Sequence, residues 1–485
     1  MSLKNQIQDF LQKYFNISFF RNSQEEVIEH LFEGKDALLL MPTGMGKSLC
    51  FQFMARWWQE KSETKLVLVI SPLIALMEDQ VQRSKKMGIK TGYLSSSQSQ
   101  QERENNYKGL AEGEYYLFYC TPERFRKDEF LNSILNGKMK VGLFVIDEAH
   151  CISLWGNDFR PDYSLLGSKR NLLGKPLCLA LTATATPHVQ KDIVTQLNLI
   201  PEKIFYGGIQ RPELSLNVHD IYSLENKLKL LVALRHQIKG PIIVYFSLIQ
   251  TLEKIASQLE KLNIQFLKYH GQLAKDQRRS SQKKFQSSNE LMMLATPAFG
   301  LGVDKADVRG VIHFELPSSL ESYYQEVGRG GRDGLSSEGH LFFDVDDISI
   351  AMDFIKWSCP EPSFVRSVYQ LIKKNPLQFS QEGNDFLRKQ MNYYNSRDFR
   401  VETSLNQLER AGVYDAELKT LTAEFPEAEF QDQWHKELMK HQHEKLLSIV
   451  QWAQKEEGCR LNEIYNYFGH PPLEKGCGKC DLCLV

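Results

Sequence analysis

Apolar runs and amphipathic stretches alternate along the chain from about residue 36 to about Asp344. The run VGLFVI, residues 141–146, is continuous and rich in β-branched side chains, which is typical of a strand buried on both faces of a parallel sheet. In the first part of the chain, helix-like stretches separate such runs: DALLLM, KLVLVI, YYLFYC, VGLFVI and LCLALT. The pattern restarts from about Arg211 with KGPIIVYFS, IQFLKYHG, LMMLATPAFGLGVD and GVIHFELP. We therefore expect an α/β fold with two doubly wound parallel-sheet lobes.

The helices between these runs carry start signals, and the pattern changes after the second lobe. Ser23 and Glu26 have the spacing of a capping box, which predicts a helix from about Ser23 and a strand at 36–41. Beyond Asp347 the alternation stops, and residues 350–455 are expected to be mainly helical. Within them RVETSLNQLERAGVYD fits either the third helix and first strand of a winged helix or a plain helical connector. The predicted division is 1–205, 206–347, 348–430 and 431–485.

Composition narrows the class of protein. A chain of 485 residues is too long for one core, and 42% hydrophobic with 25% charged residues is ordinary for a soluble protein. The net charge of −1 excludes a large uniform basic surface but leaves a local basic track open. No apolar run reaches membrane-spanning length, and MSLKNQIQDF lacks the apolar core of a leader. Five scattered cysteines fit reduced thiols, so we expect a cytoplasmic protein without a membrane partner.

The segment MPTGMGKS follows the first predicted strand and precedes a helix. In that setting backbone amides and the helix start can face a phosphate, Lys47 can reach its oxygens, and Ser48 can join a Mg²⁺ shell. The strict phosphate-loop pattern is not met, because Met41 stands where the first glycine would be. Gly44 and Gly46 supply the flexibility that the loop needs, so a phosphate site is favoured over an ordinary glycine turn.

An acidic pair, Asp147 and Glu148, follows the strand at 141–146, and an aromatic loop follows the pair. Ligands of open α/β sheets bind at the carboxyl ends of the strands. One carboxylate there can hold Mg²⁺, and its neighbour can orient or deprotonate a water. The loop offers Trp155, Phe159 and Arg160, whose faces suit nucleobases. The alternative is a solvated acidic turn followed by a loop that covers core.

The second lobe has no phosphate loop, but it contains QEVGRGGRDG. The spacing of Gln325, Arg329 and Arg332 predicts a helix start that turns two guanidiniums to one side. An arginine presented across a cleft can stabilise the charge of a transferring phosphoryl group. A solvated arginine pair on a glycine-rich turn is the alternative.

Four cysteines follow the pattern C-x17-C-x2-C-x2-C, namely Cys459, Cys477, Cys480 and Cys483. This is the spacing of tetrahedral thiolate ligation, so we expect a structural Zn²⁺. Unliganded thiols or an iron–sulfur cluster are the alternatives. His470 lies nearby, but four thiolates fill a tetrahedron, so it is interpreted as a loop histidine.

Together these segments resemble a RecQ-family DNA helicase of superfamily 2. The resemblance covers residues 20–344 and the cysteine cluster, and rests on FFRNSQ, MPTGMGKS, SPLIALMEDQ, DEAH, LTATAT, ATPAFGLGVD and QEVGRGGRDG in that order. The most diagnostic segment is CISLWGNDFRPDY directly after DEAH, an aromatic-rich loop that general DEAH-box helicases lack. The family implies two RecA-like lobes and ATP-driven 3′ to 5′ translocation on single-stranded DNA with unwinding of duplex or forked DNA in repair and recombination. It also implies ATP, Mg²⁺ and Zn²⁺ as cofactors and a monomer acting at the nucleoid.

The resemblance assigns roles to single residues. The implied set is Arg21 and Gln24 for adenine; Thr43, Gly44, Met45, Gly46, Lys47 and Ser48 for the phosphates; Asp147 for the metal; Glu148 for the water; His150, Trp155, Phe159 and Arg160 for coupling to DNA; and Arg329, Arg332 and Gln325 for the γ-phosphate.

Three departures from the family pattern are visible. Asn16 stands where the family usually has Gly, and Asn157 replaces a His that is common in the aromatic-rich loop. The cysteine cluster follows about a hundred intervening residues instead of lobe two directly, an order that resembles the short bacterial RecQ-like form. The alternatives for function are an ATP-gated DNA-binding or annealing protein without net unwinding, and an RNA-directed helicase of the same superfamily.

Overall fold

A computed structural model of the chain describes residues 3–42, 44–72, 74–95, 98–153, 161–200, 203–208, 211–300, 305–391, 398–416, 418–428 and 430–484. We name four parts of it. Lobe 1 is residues 3–208, lobe 2 is residues 211–344, the helical region is residues 345–428, and the cysteine module is residues 430–484.

Lobe 1 is a parallel sheet with helices on both faces. Its strands are β1 (Ala37–Leu40), β2 (Lys65–Ile70), β3 (Thr91–Leu94), β4 (Leu117–Cys120), β5 (Lys140–Ile146), β6 (Leu177–Thr182) and β7 (Ile204–Tyr206). Its helices are α1 (Leu3–Phe15), α2 (Gln24–Phe32), α3 (Ser48–Glu60), α4 (Ile74–Lys86), α5 (Gln100–Glu112), α6 (Asp128–Leu135), α7 (Pro161–Ser164), α8 (Leu166–Leu172) and α9 (Pro187–Gln196). The strand order is β3-β4-β2-β5-β6-β1-β7, so β1 and β5 lie inside the sheet with only β6 between them.

Lobe 2 is a second parallel sheet, ordered β10-β11-β9-β12-β13-β8. Its strands are β8 (Leu214–Asp220), β9 (Ile242–Tyr245), β10 (Phe266–Tyr269), β11 (Met292–Ala295), β12 (Gly310–His313) and β13 (Ser337–Phe343). Its helices are α10 (Leu224–Gln237), α11 (Ile249–Lys261), α12 (Lys275–Ser287) and α13 (Leu320–Val327). Both sheets confirm the predicted two-lobe α/β fold.

Four strands were not predicted, and each has a weak apolar signal. β3 and β7 are short and lie at the two edges of the first sheet, and β8 lies at an edge of the second. β13 lies inside the second sheet but contains Gly339. A Cβ at Gly339 would stand 2.3 Å from Cγ2 of Val327, so close helix packing requires the glycine that weakens the strand pattern.

The helical region contains α14 (Asp346–Ser358), α15 (Pro362–Lys374), α16 (Pro376–Glu382), α17 (Asn384–Gln390) and α18 (Arg400–Arg410). A short antiparallel hairpin, β14 (Tyr414–Asp415) with β15 (Thr420–Leu421), follows α18. The residues from α15 to the hairpin have a core of their own around Val368, Phe379 and Leu408. The expectation of mainly helical structure here is confirmed.

This region also contacts lobe 1. Arg126, just after β4, donates from Nε and Nη2 to the carboxylate of Asp162 in α7, at 2.7 and 3.0 Å. Its Nη1 donates to Glu409 of α18. The chain therefore leaves lobe 2 and returns to lobe 1 before the cysteine module begins.

The cysteine module consists of α19 (Asp432–Ala453), α20 (Arg460–Tyr467) and the cysteine loops. Ile449, Trp452 and Ile464 join the core of lobe 2, where the Trp452 ring lies 4.6 Å from that of Tyr323. Within the described ranges, no helix combines the length and the apolar character needed to cross a membrane.

The packing of α19 predicts a large effect of Trp452→Ala. The ring is 3% exposed, and its Nε1 donates to the carbonyl oxygen of Arg460 at 2.9 Å. We expect a loss of about 3–5 kcal/mol of unfolding free energy for lobe 2 with the cysteine module, because a large cavity replaces the ring. Urea unfolding followed by circular dichroism measures it. The matched control is Leu447→Ala on the same helix, where the side chain is 52% exposed. Equal midpoints for the two variants would contradict the packing.

Candidate nucleotide site and metal centre

The predicted phosphate loop connects β1 to the first residue of α3, Ser48. Gly44 and Gly46 have φ values of +85° and +88°, in the left-handed region that glycine favours. Lys47 is buried, and its Nζ donates to the carbonyl oxygen of Met41 at 3.0 Å. The ammonium and the start of α3 are therefore placed together, as an anion site requires. Thr43 lies outside the described residues.

Gln24 holds this loop against the segment that precedes α2. Its Nε2 donates to the carbonyl oxygen of Gly46 at 2.9 Å, and its Oε1 accepts from the backbone amide of Arg21 at 2.8 Å. A Cβ at Gly46 would stand 2.8 Å from the same Nε2, so the glycine allows the contact. The implied adenine contact of Arg21 and Gln24 stays a prediction.

The predicted capping box before α2 is wrong. Helix α2 begins at Gln24, and Ser23 is its N-cap residue, but the serine side chain makes no capping hydrogen bond. Its Oγ donates to the carbonyl oxygen of Tyr206 in β7 instead, at 3.1 Å. A tertiary contact has replaced the local one that the spacing predicted.

The acidic pair stands where β5 leaves the sheet. Asp147 follows the buried strand, and Glu148 adopts the left-handed conformation with φ +50° before the 3₁₀ helix Ala149–Ile152. Burial and the neighbouring charge of Glu148 raise the pKa of Asp147, whereas the charge of Lys47 acts in the opposite direction. The two carboxylates and the phosphate-loop lysine therefore form one electrostatic unit.

The donors present fit a divalent cation. Asp147 and Glu148 supply carboxylate oxygens, and the Ser48 hydroxyl starts α3 beside the phosphate loop. Oε2 of Glu148 is buried and, in the described part of the chain, accepts no hydrogen bond. Oxygen donors of this kind suit Mg²⁺, which would offset the repulsion between the carboxylates.

His150 connects the acidic pair to the end of β6. It is 3% exposed, and its Nδ1 lies 2.9 Å from Oγ1 of Thr182 and 3.4 Å from Oε2 of Glu148. Thr182 Oγ1 in turn contacts the backbone of Thr184 at 3.2 Å. The polar ends of two neighbouring strands are thus joined through one buried imidazole.

Trp155, Asn157, Phe159 and Arg160 lie outside the described residues, so their coupling role stays a prediction. Both flanks of the aromatic-rich loop are anchored in lobe 1. Ser153 donates to Asp192 at 2.6 Å, and the buried Tyr163 donates from Oη to the carbonyl oxygen of Asp147 at 3.0 Å. Tyr163 was not predicted as a site residue; its position at the end of the aromatic-rich segment was the available signal.

Arg332 of lobe 2 reaches the phosphate loop of lobe 1. A Cβ at Gly44 would lie 3.1 Å from Cδ of Arg332. Arg329 is buried beside Tyr245; burial raises the pKa of that phenol to about 12, and the charge of Arg329 acts to lower it. Gln325 is half-buried in α13. The site is therefore assembled from both lobes.

The predicted helix start at this segment is wrong. Helix α13 begins at Leu320, where the Ser319 hydroxyl accepts from the amide of Ser322 at 3.1 Å, and it ends at Val327. The glycines that follow, including Gly331 with φ +62°, end the helix. The arginines therefore project from the turns after the helix.

The four predicted cysteine ligands meet in the cysteine module. Their sulfur atoms all lie within 4.8 Å of one another, and Sγ of Cys477 and Cys483 are 3.9 Å apart. Tetrahedral Zn–S bonds of about 2.3 Å require a spacing of about 3.8 Å, so the set fits Zn²⁺. The amide of Cys477 points at Sγ of Cys459 at 3.2 Å, which stabilises a thiolate. A Cβ at Gly476 would lie 3.2 Å from Sγ of Cys483, so the turn needs glycine.

His470 is a loop histidine, as predicted, and not a member of the cysteine cluster. Its ring packs edge-on against Tyr206, with centroids 4.7 Å apart. Burial lowers the pKa of His470 to about 4, so the ring is neutral at pH 7.

Comparison with known families matches three segments of the chain. Residues 21–193 match the DEAD/DEAH box helicase family, 226–334 the helicase conserved C-terminal domain, and 424–484 the RecQ zinc-binding family. The probable ATP-dependent DNA helicase RecS of Bacillus subtilis is 36% identical over 370 residues, which cover 76% of this chain and 73% of that protein. The chain belongs to the RecQ helicase family.

RecQ proteins themselves are longer than the matched region. The ATP-dependent DNA helicase RecQ of B. subtilis is 41% identical over 353 residues, 72% of this chain and 58% of that protein. The corresponding protein of Pasteurella multocida is 40% identical over 71% of this chain and 53% of its own length. The chain thus spans little more than half the length of these relatives.

One solved structure resembles this chain over most of its length. Mycobacterium smegmatis Lhr, determined with single-stranded DNA and AMP-PNP, is 19% identical with a TM-score of 0.54 over 91% of this chain and 61% of that chain. At this identity the likeness concerns the fold alone.

The structure accounts for one departure from the RecQ pattern. Asn16 has φ +55°, a left-handed conformation that glycine adopts freely and that asparagine tolerates better than other residues. The substitution of the usual glycine therefore preserves the turn after α1. The zinc-binding match at 424–484 confirms that the cysteine cluster follows the intervening region.

Removing one ligand should release zinc. Cys480 is fully buried, and we expect Cys480→Ser to lower the zinc content well below one ion per chain and to lower the thermal midpoint, because metal binding contributes directly to folding. Elemental analysis and calorimetry measure both. The control is Cys359→Ser, which changes a buried cysteine outside the cluster and should leave the zinc content at the wild-type level. Wild-type zinc content in Cys480→Ser would refute the ligand assignment.

Proposed function

We propose that this protein is an ATP-dependent DNA helicase that moves 3′ to 5′ on single-stranded DNA and unwinds duplex DNA. One observation carries the proposal: Arg332 of lobe 2 lies against Gly44 in the phosphate loop of lobe 1. Hydrolysis at such a site depends on how the two lobes meet, which is what a motor requires. Membership of the RecQ family, whose relatives include ATP-dependent DNA helicases, supports the same function.

The phosphates of ATP would bind at the start of α3. The amides of Gly44 and Gly46 would face the β-phosphate, and the Met45 amide would join them by leaving the Pro42 carbonyl oxygen, 3.4 Å away. Lys47 would exchange the Met41 carbonyl oxygen for phosphate oxygens. Arg21 and Gln24 would contact the adenine. Because Gln24 already touches Gly46, base recognition and phosphate binding would be mechanically linked.

Asp147 and Glu148 would have different roles in hydrolysis. Ser48 and Asp147 would hold Mg²⁺, which would supply positive charge beside the phosphates. Glu148 would orient the attacking water and take its proton, since its Oε2 is buried and accepts no hydrogen bond in the described structure. Its left-handed backbone, with φ +50°, ends the extended conformation of β5.

Arg329 and Arg332 would stabilise the charge of the transferring γ-phosphoryl group from lobe 2, and Gln325 would sense that phosphate. Loss of the phosphate removes their ligand, so the lobes would separate after hydrolysis. Repeated opening and closing would advance the DNA strand across both lobes.

Coupling to DNA would run through the residues after Glu148. His150 touches Glu148 and Thr182, and Tyr163 holds the backbone of Asp147, so both ends of the aromatic-rich loop reach the acidic pair. Base stacking on Trp155 or Phe159, with Arg160 beside them, would shift these contacts. This path predicts that binding of DNA stimulates ATP hydrolysis.

The four-part division near residues 205, 347 and 430 is also proposed. Tyr206 belongs with lobe 1 and α14 packs on lobe 2, which adjusts the first two boundaries slightly. Four helices, α15 to α18, and a hairpin share a core of their own, which favours a winged helix in the helical region. We further propose a monomer that acts on single-stranded and forked DNA at the nucleoid, in the cytoplasm, during repair and recombination.

The direct test is strand displacement on a fluorescent forked duplex. We expect the wild-type protein to release the strand only with ATP and Mg²⁺, and to hydrolyse ATP faster with single-stranded DNA than with RNA. Glu148→Gln should still bind DNA and ATP but hydrolyse about 10²- to 10⁴-fold more slowly, because the general base is lost. Glu129→Gln, exposed in α6, is the control and should unwind normally.

Each alternative has its own outcome in this assay. ATP-dependent DNA binding or annealing without displacement would favour an ATP-gated binding protein. Stronger stimulation by RNA would favour an RNA-directed helicase. Full ATPase activity in Glu148→Gln or in Lys47→Ala would show that the active site has been placed wrongly.

The arginine assignment predicts that Arg332→Ala lowers kcat by about 10³-fold or more, with a much smaller change in nucleotide affinity. Steady-state ATPase assays with single-stranded DNA and binding of a fluorescent ATP analogue separate the two quantities. Arg235→Ala is the matched control in lobe 2, since its guanidinium bonds the Glu290 carbonyl oxygen at the surface. An unchanged kcat in Arg332→Ala would exclude the role.

A further inference from the structure

The cysteine module is attached mainly to lobe 2. Tyr467 donates from Oη to Glu321 at 2.7 Å, and Asp481 accepts from the amide of Val218 in β8 at 3.1 Å. Ile464 and Phe468 complete the hydrophobic core of that lobe. The module should therefore move with lobe 2 when the cleft opens or closes.

A three-residue tip of the same module, Phe468–His470, reaches lobe 1. The tip follows α20 and turns at Gly469, which has φ +73°. Nε2 of Gln190 in α9 donates to the carbonyl oxygen of Phe468 at 3.3 Å. The His470 ring stands at 79° to the Tyr206 ring, with centroids 4.7 Å apart. The tip therefore connects the two lobes at a place remote in sequence from the arginines.

The tip is held closely at Gly469, although Tyr206 itself is 42% exposed. A Cβ at Gly469 would lie 2.8 Å from Cγ of Pro187. Tyr206 is fixed from a second side as well, because its Oη donates to Oε1 of Gln190 at 3.0 Å. Gln190 thus binds both the tip and the tyrosine that the tip touches.

Tyr206 leads directly to the nucleotide site. Its carbonyl oxygen accepts the hydroxyl of Ser23, the residue before Gln24. The next residue, Gly207, donates its amide to Leu40 at 2.7 Å, and a Cβ there would lie 2.7 Å from Cε of Met41. The end of β7 is therefore packed between the tip and the start of the phosphate loop.

The Ser23 hydroxyl bonds β7 and does not cap α2. As the N-cap residue of α2 it would ordinarily accept a hydrogen bond from its own helix, but it donates to β7 instead. The segment before Gln24 is thus anchored to Tyr206, and Gln24 is bonded to Gly46. A displacement of Tyr206 would therefore move the segment before Gln24 and disturb the bond between Gln24 and Gly46.

We propose that His470 is a positioning residue for the nucleotide site, which holds Tyr206 and, through Ser23, the segment that carries Gln24. The proposal rests on the proposed ATP site and adds a second route by which lobe 2 acts on it. Through the tip, the cysteine module sets nucleotide affinity, whereas the arginines act on the hydrolytic step.

The test is His470→Ala in the full-length, zinc-loaded protein. We expect the Kd of a fluorescent ATP analogue and the KM for ATP to rise by about 2- to 10-fold, the range expected from loss of one aromatic pair. The kcat at saturating ATP should stay within about 2-fold, because Glu148 and the arginines are untouched. His470→Phe, which keeps an aromatic ring, should restore the affinity.

Two controls separate positioning from general damage. His443→Ala removes an exposed histidine of α19 in the same module and should leave all values unchanged. Zinc content and thermal midpoint of His470→Ala should equal those of the wild type. A weaker affinity that appears only together with zinc loss would overturn the proposal in favour of a structural role.

A double-mutant cycle tests the route itself. If His470 acts through Tyr206, Tyr206→Leu and the double variant should show the same Kd, because the second change removes nothing further. Additive effects, or wild-type affinity in His470→Ala, would overturn the inference. If the wild-type protein binds no ATP analogue at all, the proposed function fails instead, so the two failures are distinguishable.

Discussion

Burial of charge at the end of β5 is the constraint on which the site depends. The strand is inaccessible from Leu143 to Ile146, so Asp147 and Glu148 enter the protein at an edge with little water. Carboxylates in such a place are stable only with cationic or hydrogen-bonding partners. The fold brings Lys47 and the His150 imidazole there, and the donors fit a divalent cation as a further partner. The organisation of the cleft follows from satisfying these two charges.

The two lobes consequently have unequal tasks. Lobe 1 holds the phosphate loop and the carboxylates, whereas lobe 2 contributes Arg332, which lies against Gly44 in the cleft between the lobes. The polar side chains of lobe 2 reach that cleft from turns, since the glycines after Val327 end α13 and leave Arg329 and Arg332 outside the helix. Functional side chains are often carried on loops and turns that a rigid scaffold positions. This division suits a site that alternates between two states.

Sequence patterns predicted the interior of this protein better than its edges. Central strands such as β1, β5 and β6 are mostly apolar because they are buried over most of their length. The phosphate loop and the cysteines have spacings fixed by chemistry. The edge strands β3, β7 and β8 gave weak signals. The capping-box prediction at Ser23 was wrong because the hydroxyl bonds Tyr206, 183 positions away, instead of its own helix. The helix-start prediction at the arginine segment was wrong because the glycine spacing fits a helix end as well as a helix start. Contacts such as Tyr163 with Asp147 and His470 with Tyr206 depend on tertiary placement, which periodicity does not encode.

The shared core of lobe 2 and the cysteine module also has a consequence for biosynthesis. Residues from Leu446 to Cys480 pack among the strands that begin at Leu214. Lobe 1 has complete cores of its own and can fold on the ribosome early, as amino-terminal units do. Lobe 2 must wait with apolar surface exposed while more than a hundred further residues, including the whole helical region, are translated. The order of segments in this chain therefore delays completion of this part of the lobe 2 core until the cysteine module has been synthesised.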